Sequence, residues 1–121
     1  MTISGRTRVF GVVGQPVVQS LSPALHNAWY ADHGLDAVYV ALPLAATTAE
    51  AVFRQFVALG VAGMNVTSPF KEDAARAATK LDPNAKVLQA VNTLAVRGDQ
   101  LWGFNTDAPG FVAARDRKSV V

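Results

Sequence analysis

The chain has 121 residues, of which 50% are hydrophobic and 17% are charged, so it can bury the core of one domain, and intrinsic disorder is not expected. The net charge is only +2, and the single cluster of basic residues, Arg115, Arg117 and Lys118, does not predict a nucleic-acid interface. The absence of cysteine excludes disulfides, thiolate catalysis and cysteine metal sites within these residues.

Runs of β-branched and apolar residues predict five strands. Three of them lie in the first half of the chain, at Arg8–Val13, Ala37–Leu42 and Val61–Val66. The other two, Val91–Val96 and Leu101–Phe104, flank the turn sequence Arg97-Gly98-Asp99-Gln100 and predict a hairpin.

The first predicted helix begins at Ser22-Pro23, because serine is a favourable N-cap and proline suits the first helical turn. Gly34 is expected to end this helix. Its buried apolar face is expected to contain Leu25, Ala28 and Trp29.

Later helices are indicated by caps and by apolar spacing. Thr47–Glu50 has the form of a capping box, and apolar residues at helical spacing follow it as far as Gly60. An alanine-rich helix is predicted over Lys71–Leu81, a short helix from Pro83, and a last helix from Thr106.

Strands and helices thus alternate in the order βαβαβα, followed by a hairpin and a helix. This order predicts a three-layer α/β domain over residues 1–121, with a mainly parallel central sheet and helices on both faces. In such sheets, ligands bind at the carboxyl ends of the strands, in the loops that follow them. Functional side chains are therefore expected in those loops.

The sequence gives no sign of a membrane segment. No stretch approaches the roughly 20 apolar residues needed to span a bilayer, and Met1–Arg8 lacks the apolar core of a signal peptide. A cytoplasmic protein without a membrane partner is expected.

Polar side chains follow two of the predicted strands. Ser20 and Ser22 would place two hydroxyls beside the free N–H groups of a helix start, which suits a carboxylate ligand; alternatively, Ser22 is only an N-cap and Ser20 only a loop residue. Asn65 and Thr67 alternate with Val66 and point to the same side of the chain. They would bond either a polyhydroxylated ligand or neighbouring backbone, since an unpaired buried polar group costs about 1–3 kcal/mol.

Lys71, Asn92 and Asp107 complete the candidate set. Lys71 stands at a predicted helix start, where the helix dipole disfavours a cation, so it is either functional or a solvated surface lysine. Asn92 opens a strand, and Asp107 stands at a strand-to-helix junction, where it could also cap the helix. An ammonium and a carboxylate at one sheet edge, beside hydroxyl-binding groups, suit proton transfer at an alcohol or carbonyl oxygen.

Four segments together resemble the substrate-binding domain of shikimate dehydrogenases. They are Gly14-Gln15-Pro16 with Ser20-Leu21-Ser22-Pro23 and His26-Asn27, then Asn65-Val66-Thr67-Ser68-Pro69-Phe70-Lys71, then Ala90-Val91-Asn92-Thr93, then Asn105-Thr106-Asp107. All four occur in the family's order within residues 14–110, which is far more specific than any one of them alone.

The resemblance implies the reversible reduction of 3-dehydroshikimate to shikimate with NADPH, in aromatic amino-acid biosynthesis. It also implies roles for the candidate residues. Ser20 and Ser22 would hold the substrate carboxylate, and Lys71 would transfer a proton at the oxygen whose carbon exchanges the hydride. Asp107 would orient Lys71, and the ring hydroxyls would be bound by Asn65, Thr67, Asn92 and Asp107.

Two features depart from the family's pattern. Gln19 stands where the family most often has histidine. The glycine-rich phosphate turn of the family's NADP-binding Rossmann domain does not occur in these residues, and Lys118–Val121 resembles only the opening of that domain's first strand. The chain is thus expected to be a substrate-binding domain without its NADP-binding domain, inactive or nearly so by itself.

The same residues also allow two alternative functions to be considered. One alternative is a non-catalytic shikimate- or quinate-binding module, or a half-enzyme with a separate nucleotide-binding partner. Either would bind its ligand with useful affinity by itself, and the half-enzyme would reduce NADP when it is mixed with that partner. A hydrolase with Ser20 or Ser22 as nucleophile lacks the nucleophile-elbow pattern. Its bases would have to be His26, which is expected to be structural, or His33 near the helix end.

Self-association is a further expectation. The face that a second domain would cover, near Phe104, Pro109 and Phe111, is apolar. Exposed apolar area of this kind favours a dimer or larger oligomer.

Overall fold

A computed structural model describes residues 2–45 and 49–107 of the chain. These residues form six strands: β1 Arg8–Gly14, β2 Ala37–Pro43, β3 Gly63–Val66, β4 Lys80–Leu81, β5 Thr93–Arg97 and β6 Gln100–Phe104. They also form four helices: α1 Ser22–Asp32, α2 Ala49–Leu59, α3 Lys71–Ala77 and α4 Pro83–Leu88. Strands and helices alternate as far as β5, which opens the hairpin with β6.

All six strands belong to one sheet, in the order β2-β1-β3-β5-β6-β4. β1 pairs in parallel with both β2 and β3, and β4 pairs in parallel with β6. β5 is antiparallel to its neighbours β3 and β6, so it alone among these six strands runs against the others. The predicted α/β fold with a mainly parallel sheet is confirmed.

The reversed direction of β5 brings several loops to one edge of the sheet. β1, β3 and β6 end at this edge, and β5 begins there, since Val13 pairs with Val66 and Thr93 pairs with both Asn65 and Phe104. The residues that follow β1, β3 and β6 and those that precede β5 are therefore spatial neighbours, although they are distant in sequence.

Apolar side chains pack on both faces of the sheet. α1 covers one face over β1 and β2, where Phe10, Tyr30 and Tyr39 are each 1% exposed or less. Because successive side chains of a strand point to opposite faces, Val12 faces α1 whereas Val13 belongs to the core under α2 and α3. The largest fully buried side chains of that second core are Phe53, Met64, Leu94 and Leu101. Helices on both faces were predicted, and this is confirmed.

The predicted buried face of α1 is wrong. Leu25 is 68% exposed, Trp29 is 42% exposed, and Ala28 is also exposed. Tyr30 faces the sheet instead, and its ring centroid lies 5.9 Å from that of Phe10. Apolar and aromatic residues occur on two sides of this short helix, and packing against β1 decides which side is buried.

Ser22 is not the N-cap of α1. Leu21 occupies that position without a side-chain hydrogen bond, and Ser22 is the first helical residue. The hydroxyl of Ser20 accepts a hydrogen bond from the N–H of Ser22 at 3.2 Å, so Ser20 makes the capping contact that was expected of Ser22. Pro23 lies in the first turn, as predicted.

The helix predicted over Lys71–Leu81 is too long. α3 ends at Ala77, and Ala78 is extended, with φ −65° and ψ 137°. The two residues of β4 pair instead with Trp102 and Gly103 of β6. Pairing with a distant strand has overridden the helical preference of the alanine-rich local sequence.

Other predicted element boundaries differ less from those of the structure. The third strand begins at Gly63 rather than at Val61, and β5 begins at Thr93 rather than at Val91. The hairpin turn is confirmed, since Arg97 pairs with Gln100. Within the described ranges, no helix combines the length and the apolar character that crossing a membrane requires.

Three expectations fall on residues outside the described ranges: the capping threonines Thr47 and Thr48, the helix beyond Thr106, and the apolar residues Pro109 and Phe111. Phe104, which was expected near an uncovered face, stacks on Trp102 with a centroid distance of 6.4 Å and carries the guanidinium of Arg97 over its ring. Self-association stays a prediction.

Tyr30 and Tyr39, the two tyrosines of the chain, should ionise only at unusually high pH. Burial raises the pKa of Tyr30 from 10.0 to about 12, against a smaller opposing effect of Arg8. Burial, and secondarily the neighbouring Tyr30, also raises the pKa of Tyr39. Because the folded protein holds these protons more tightly than the unfolded chain does, both contribute stability that is complete below pH 10.0. The contribution of Tyr30 is lost as the pH rises through its folded pKa of about 12, and that of Tyr39 is lost at higher pH.

The tyrosinate absorbance of the chain, followed against pH with circular dichroism as the check of folding, measures this effect. Tyr39→Phe is the control, and it should leave a single transition near pH 12 from Tyr30. A transition of the folded protein near pH 10.0 would show that these rings are accessible to water.

Gly14, the last residue of β1, should not tolerate a side chain. A Cβ atom there would lie 2.3 Å from Cγ2 of Thr67 and 2.8 Å from Cγ1 of Val17. Gly14→Ala should therefore lower the free energy of unfolding by about 1–3 kcal/mol in urea titrations, because one of these neighbours must move. Gly5→Ala is the matched control, since nothing lies within 4 Å of its added Cβ. Equal stability of the two variants would contradict close packing at Gly14.

Candidate functional site

A cavity of about 610 Å³ opens at the sheet edge where β1 and β3 end and β5 begins. Its volume lies within the range usual for sites that bind small molecules. Six of the seven candidate residues predicted from the sequence line this cavity: Ser20, Ser22, Asn65, Thr67, Lys71 and Asn92. Side chains from three separate segments of the chain are therefore brought together.

The seventh candidate, Asp107, lies beside the cavity rather than in its lining. Its Oδ1 accepts a hydrogen bond from Nδ2 of Asn92 at 3.2 Å. Its backbone N–H donates to Oδ1 of Asn105 at 2.9 Å, and Asn105, which is 2% exposed, donates in turn to the carbonyl of Ala90 at 3.0 Å. A buried asparagine thus fixes the backbone of Asp107, and Asn92 holds its exposed carboxylate beside the cavity.

Ser20 and Ser22 are half-buried at the start of α1. The N–H of Ser20 donates to the carbonyl of Val17 at 3.0 Å. This hydrogen bond closes a turn in the loop after β1, and both residues line the cavity. Nδ1 of His26 lies 3.0 Å from the backbone carbonyl oxygen of Ser22. No hydrogen bond among the described residues joins a histidine to the hydroxyl of Ser20 or Ser22, so a serine–histidine pair of the kind that hydrolases use is not formed there.

A continuous row of hydrogen bonds, here called the donor row, runs along the cavity. The hydroxyl of Tyr39 donates to Oδ1 of Asn65 at 2.7 Å, and Nδ2 of Asn65 donates to Oγ1 of Thr93 at 3.3 Å. Oγ1 of Thr93 donates to Oδ1 of Asn92 at 3.1 Å, and Nδ2 of Asn92 donates to Oγ1 of Thr106 at 2.9 Å. Every donor points the same way, from β2 toward the loop after β6.

Three members of the donor row are absent from the residues predicted by the sequence: Tyr39, Thr93 and Thr106. Thr93 and Thr106 stand beside Asn92 and Asp107 in the segments that carry the family resemblance, and this adjacency was a usable signal. Tyr39 carries no such signal. It sits in an apolar strand, and only the packing of β2 and β3 on either side of β1 shows that its hydroxyl reaches across to the third strand.

Lys71 is the first residue of α3, and its half-buried side chain lines the cavity. Its carbonyl accepts a hydrogen bond from the N–H of Val91 at 2.9 Å, which joins the start of α3 to the segment that precedes β5. Within residues 2–45 and 49–107, Arg54 pairs with Glu50, and Arg76 pairs with both Glu50 and Asp73. None of these ion pairs includes Lys71 or Asp107. The orientation of Lys71 by Asp107 stays a prediction.

The cavity presents hydroxyl groups, amide groups and one ammonium group to a ligand. Hydroxyls and amides both donate and accept hydrogen bonds, which suits alcohol groups. The ammonium group and the serine hydroxyls suit a carboxylate or an oxygen that gains negative charge. The arrangement therefore fits a small anionic molecule with several hydroxyl groups.

Comparison with known proteins agrees with this chemistry. The family model described as the shikimate dehydrogenase substrate binding domain matches residues 12–94. The shikimate dehydrogenase (NADP(+)) of Anaeromyxobacter sp. (strain K) is 50% identical over 107 residues, which are 88% of this chain and 38% of that protein. The enzyme of the same name from Geobacter sp. (strain M21) is 44% identical over 114 residues, which are 94% of this chain and 39% of that protein.

Solved structures have the same fold. Shikimate 5-dehydrogenase from Listeria monocytogenes, in complex with shikimate and NAD, superposes with a TM-score of 0.85 at 34% identity, over 97% of this chain and 40% of that chain. Shikimate dehydrogenase from Aquifex aeolicus gives a TM-score of 0.84 at 38% identity, over 96% of this chain and 44% of that chain. The chain spans about two fifths of the length of these relatives. Because the family model covers more than half of it, the chain belongs to the family of shikimate dehydrogenase substrate-binding domains.

Proposed function

We propose that the chain is the substrate-binding part of an NADP-dependent shikimate dehydrogenase and that its cavity binds 3-dehydroshikimate and shikimate. One observation carries this proposal: six of the seven side chains that the family resemblance assigns to the substrate line a single cavity. The Listeria monocytogenes relative, which shares the fold, was solved with shikimate bound.

The substrate carboxylate binds at Ser20 and Ser22. Both hydroxyls line the cavity at the start of α1, where the N–H groups of the first helical turn add positive potential. Ser20 already accepts a hydrogen bond from the N–H of Ser22, so its hydroxyl proton is free to donate to the ligand.

The ring hydroxyls bind on the opposite side of the cavity, at Asn65, Thr67, Asn92 and Asp107. Asn65 uses one amide proton on Thr93 and keeps the other for a ligand. The hydroxyl of Thr67 makes no hydrogen bond to another residue of the described ranges, although it lines the cavity. Asp107 offers an exposed carboxylate at the rim, which accepts from a hydroxyl.

Lys71 holds the proton at the reacting oxygen. When the carbonyl of 3-dehydroshikimate is reduced, its oxygen gains negative charge, and an ammonium group beside it stabilises that charge and then donates a proton. In the reverse direction the amine takes the proton from the hydroxyl of shikimate. The position of Lys71 in the lining, outside every described ion pair, leaves its ammonium group available for this task.

NADPH would supply the hydride for this reduction when bound, but the residues of this chain do not fit the cofactor. No two of the nine glycines stand two residues apart, so the G-x-G-x-x-G phosphate turn does not occur among them. NADP would therefore be held by residues outside these 121, and the chain alone is expected to bind the substrate while turning over little or nothing.

Calorimetric titration of the chain with shikimate tests the proposal. The wild-type chain should bind in the millimolar range or tighter, and Lys71→Ala and Ser22→Ala should each raise Kd about tenfold, because each removes a hydrogen bond to a charged or reacting group.

Lys86→Ala is the matched control for the lysine and Ser4→Ala for the serine, since both residues are exposed and neither lines the cavity. Both controls should bind like the wild type. No heat from the folded wild-type chain at millimolar shikimate, or unchanged binding by Lys71→Ala, would refute the proposed site.

A further inference from the structure

Asn27, in the middle of α1, binds the backbone of the neighbouring strand with both ends of its side-chain amide. Its Nδ2 donates to the carbonyl oxygen of Tyr39 at 2.8 Å, and its Oδ1 accepts from the N–H of Tyr39 at 2.9 Å. β2 is an edge strand of the sheet that the described residues form, so within that sheet these two backbone groups have no further strand to pair with. The amide of Asn27 takes the place of that missing strand at one residue.

The residue that Asn27 binds is also held by its ring and by its hydroxyl. The imidazole of His26 stacks on the ring of Tyr39 with a centroid distance of 4.0 Å and an interplanar angle of 12°. Tyr39 is 1% exposed, and its hydroxyl donates to Oδ1 of Asn65 at 2.7 Å. Two adjacent residues of α1 therefore fix the backbone and the ring of the tyrosine that opens the donor row.

The hydroxyl of Tyr39 holds the oxygen end of the amide of Asn65. Thr93 gives its own hydroxyl proton to Asn92, so it can only accept from Asn65, and the nitrogen of Asn65 must point toward it. The oxygen of Asn65 then needs a donor on its other side, and Tyr39 supplies one. Without that donor, the oxygen of Asn65 would lose a hydrogen bond and the amide would be held only at its nitrogen end.

We infer that Asn27 is a positioning residue for the ligand cavity, acting through Tyr39 on the orientation of Asn65. The effect on ligand affinity rests on the function proposed above, whereas the effect on the amide of Asn65 does not. A purely structural role is the competing explanation, in which Asn27 only satisfies the edge of β2. That role predicts a loss of stability with no change in the cavity.

A double-mutant cycle on shikimate binding separates the two explanations. Asn27→Ala and Tyr39→Phe should each raise Kd about fivefold, the equivalent of one ordinary hydrogen bond. If Asn27 acts through the hydroxyl of Tyr39, adding Asn27→Ala to Tyr39→Phe should raise Kd little further, because both changes remove the same influence. Phe53→Leu, in the core on the other face of the sheet, is the control that lowers stability without altering Kd.

Two outcomes of the cycle would overturn the inference: a Kd for Asn27→Ala equal to that of the wild type, or a full fivefold effect of Asn27→Ala that persists in the Tyr39→Phe background. Urea unfolding of every variant confirms that each is folded under the conditions of the titration.

A measurement without ligand keeps this test distinct from that of the proposed function. In ¹H–¹⁵N spectra, the side-chain amide signals of Asn65, assigned through Asn65→Asp, should shift in Asn27→Ala and in Tyr39→Phe and stay in place in Phe53→Leu. If the wild-type chain binds no shikimate, the proposed function fails, and the Asn65 signals alone decide the inference. Unshifted signals in Asn27→Ala would overturn the positioning role.

Discussion

The direction of a single strand, β5, makes the candidate site possible. Had the chain continued with parallel strands, the segment before β5 would lie at the far edge of the sheet from the ends of β1 and β3. The hairpin instead runs β5 against its neighbours, so Asn92 enters the sheet at the edge where Thr67 leaves it, and β6 returns the chain to the same edge just before Asp107. The direction of β5 thus places residues from distant parts of the sequence around one cavity.

Once these residues meet, hydrogen-bond satisfaction constrains them further. Thr93 is 5% exposed and Asn105 is 2% exposed, and an unsatisfied polar group at such positions costs about 1–3 kcal/mol. Asn105 meets this requirement through the carbonyl of Ala90 and the N–H of Asp107. Thr93 meets it within the donor row, in which Asn65, Thr93 and Asn92 each accept from one neighbour and donate to the next. A row of this kind fixes the orientation of both asparagine amides before any ligand arrives, which reduces the conformational entropy lost on binding.

The sequence was sufficient for the features that depend on local patterns, namely the strands, most helix positions, the hairpin and the edge at which the site lies. It failed where contacts between residues far apart in the sequence determine the structure. The helix expected over Lys71–Leu81 ends early because β4 pairs with β6, and the buried side of α1 is set by Tyr30 packing on Phe10 rather than by the spacing of Leu25 and Trp29. Tyr39 was missed for the same reason, because its role depends on a hydrogen bond to a strand that is not its neighbour in the sheet.

A second set of hydrogen bonds holds the loop that carries Asp107. Oδ1 of Asp82 caps α4 by accepting from the N–H of Ala85 at 2.8 Å, and it also lies 3.4 Å from the N–H of Asn105. Asn105 then bonds both Ala90 and Asp107, so the helix cap, the segment before β5 and the rim carboxylate form one connected unit. Lys71 stands apart from this network, since its ammonium group is in no described ion pair. A frame of hydroxyls and amides with a carboxylate at its rim, around a cation that is in no described ion pair, favours a ligand that is rich in hydroxyls and carries negative charge, because such a ligand matches the frame and the cation together.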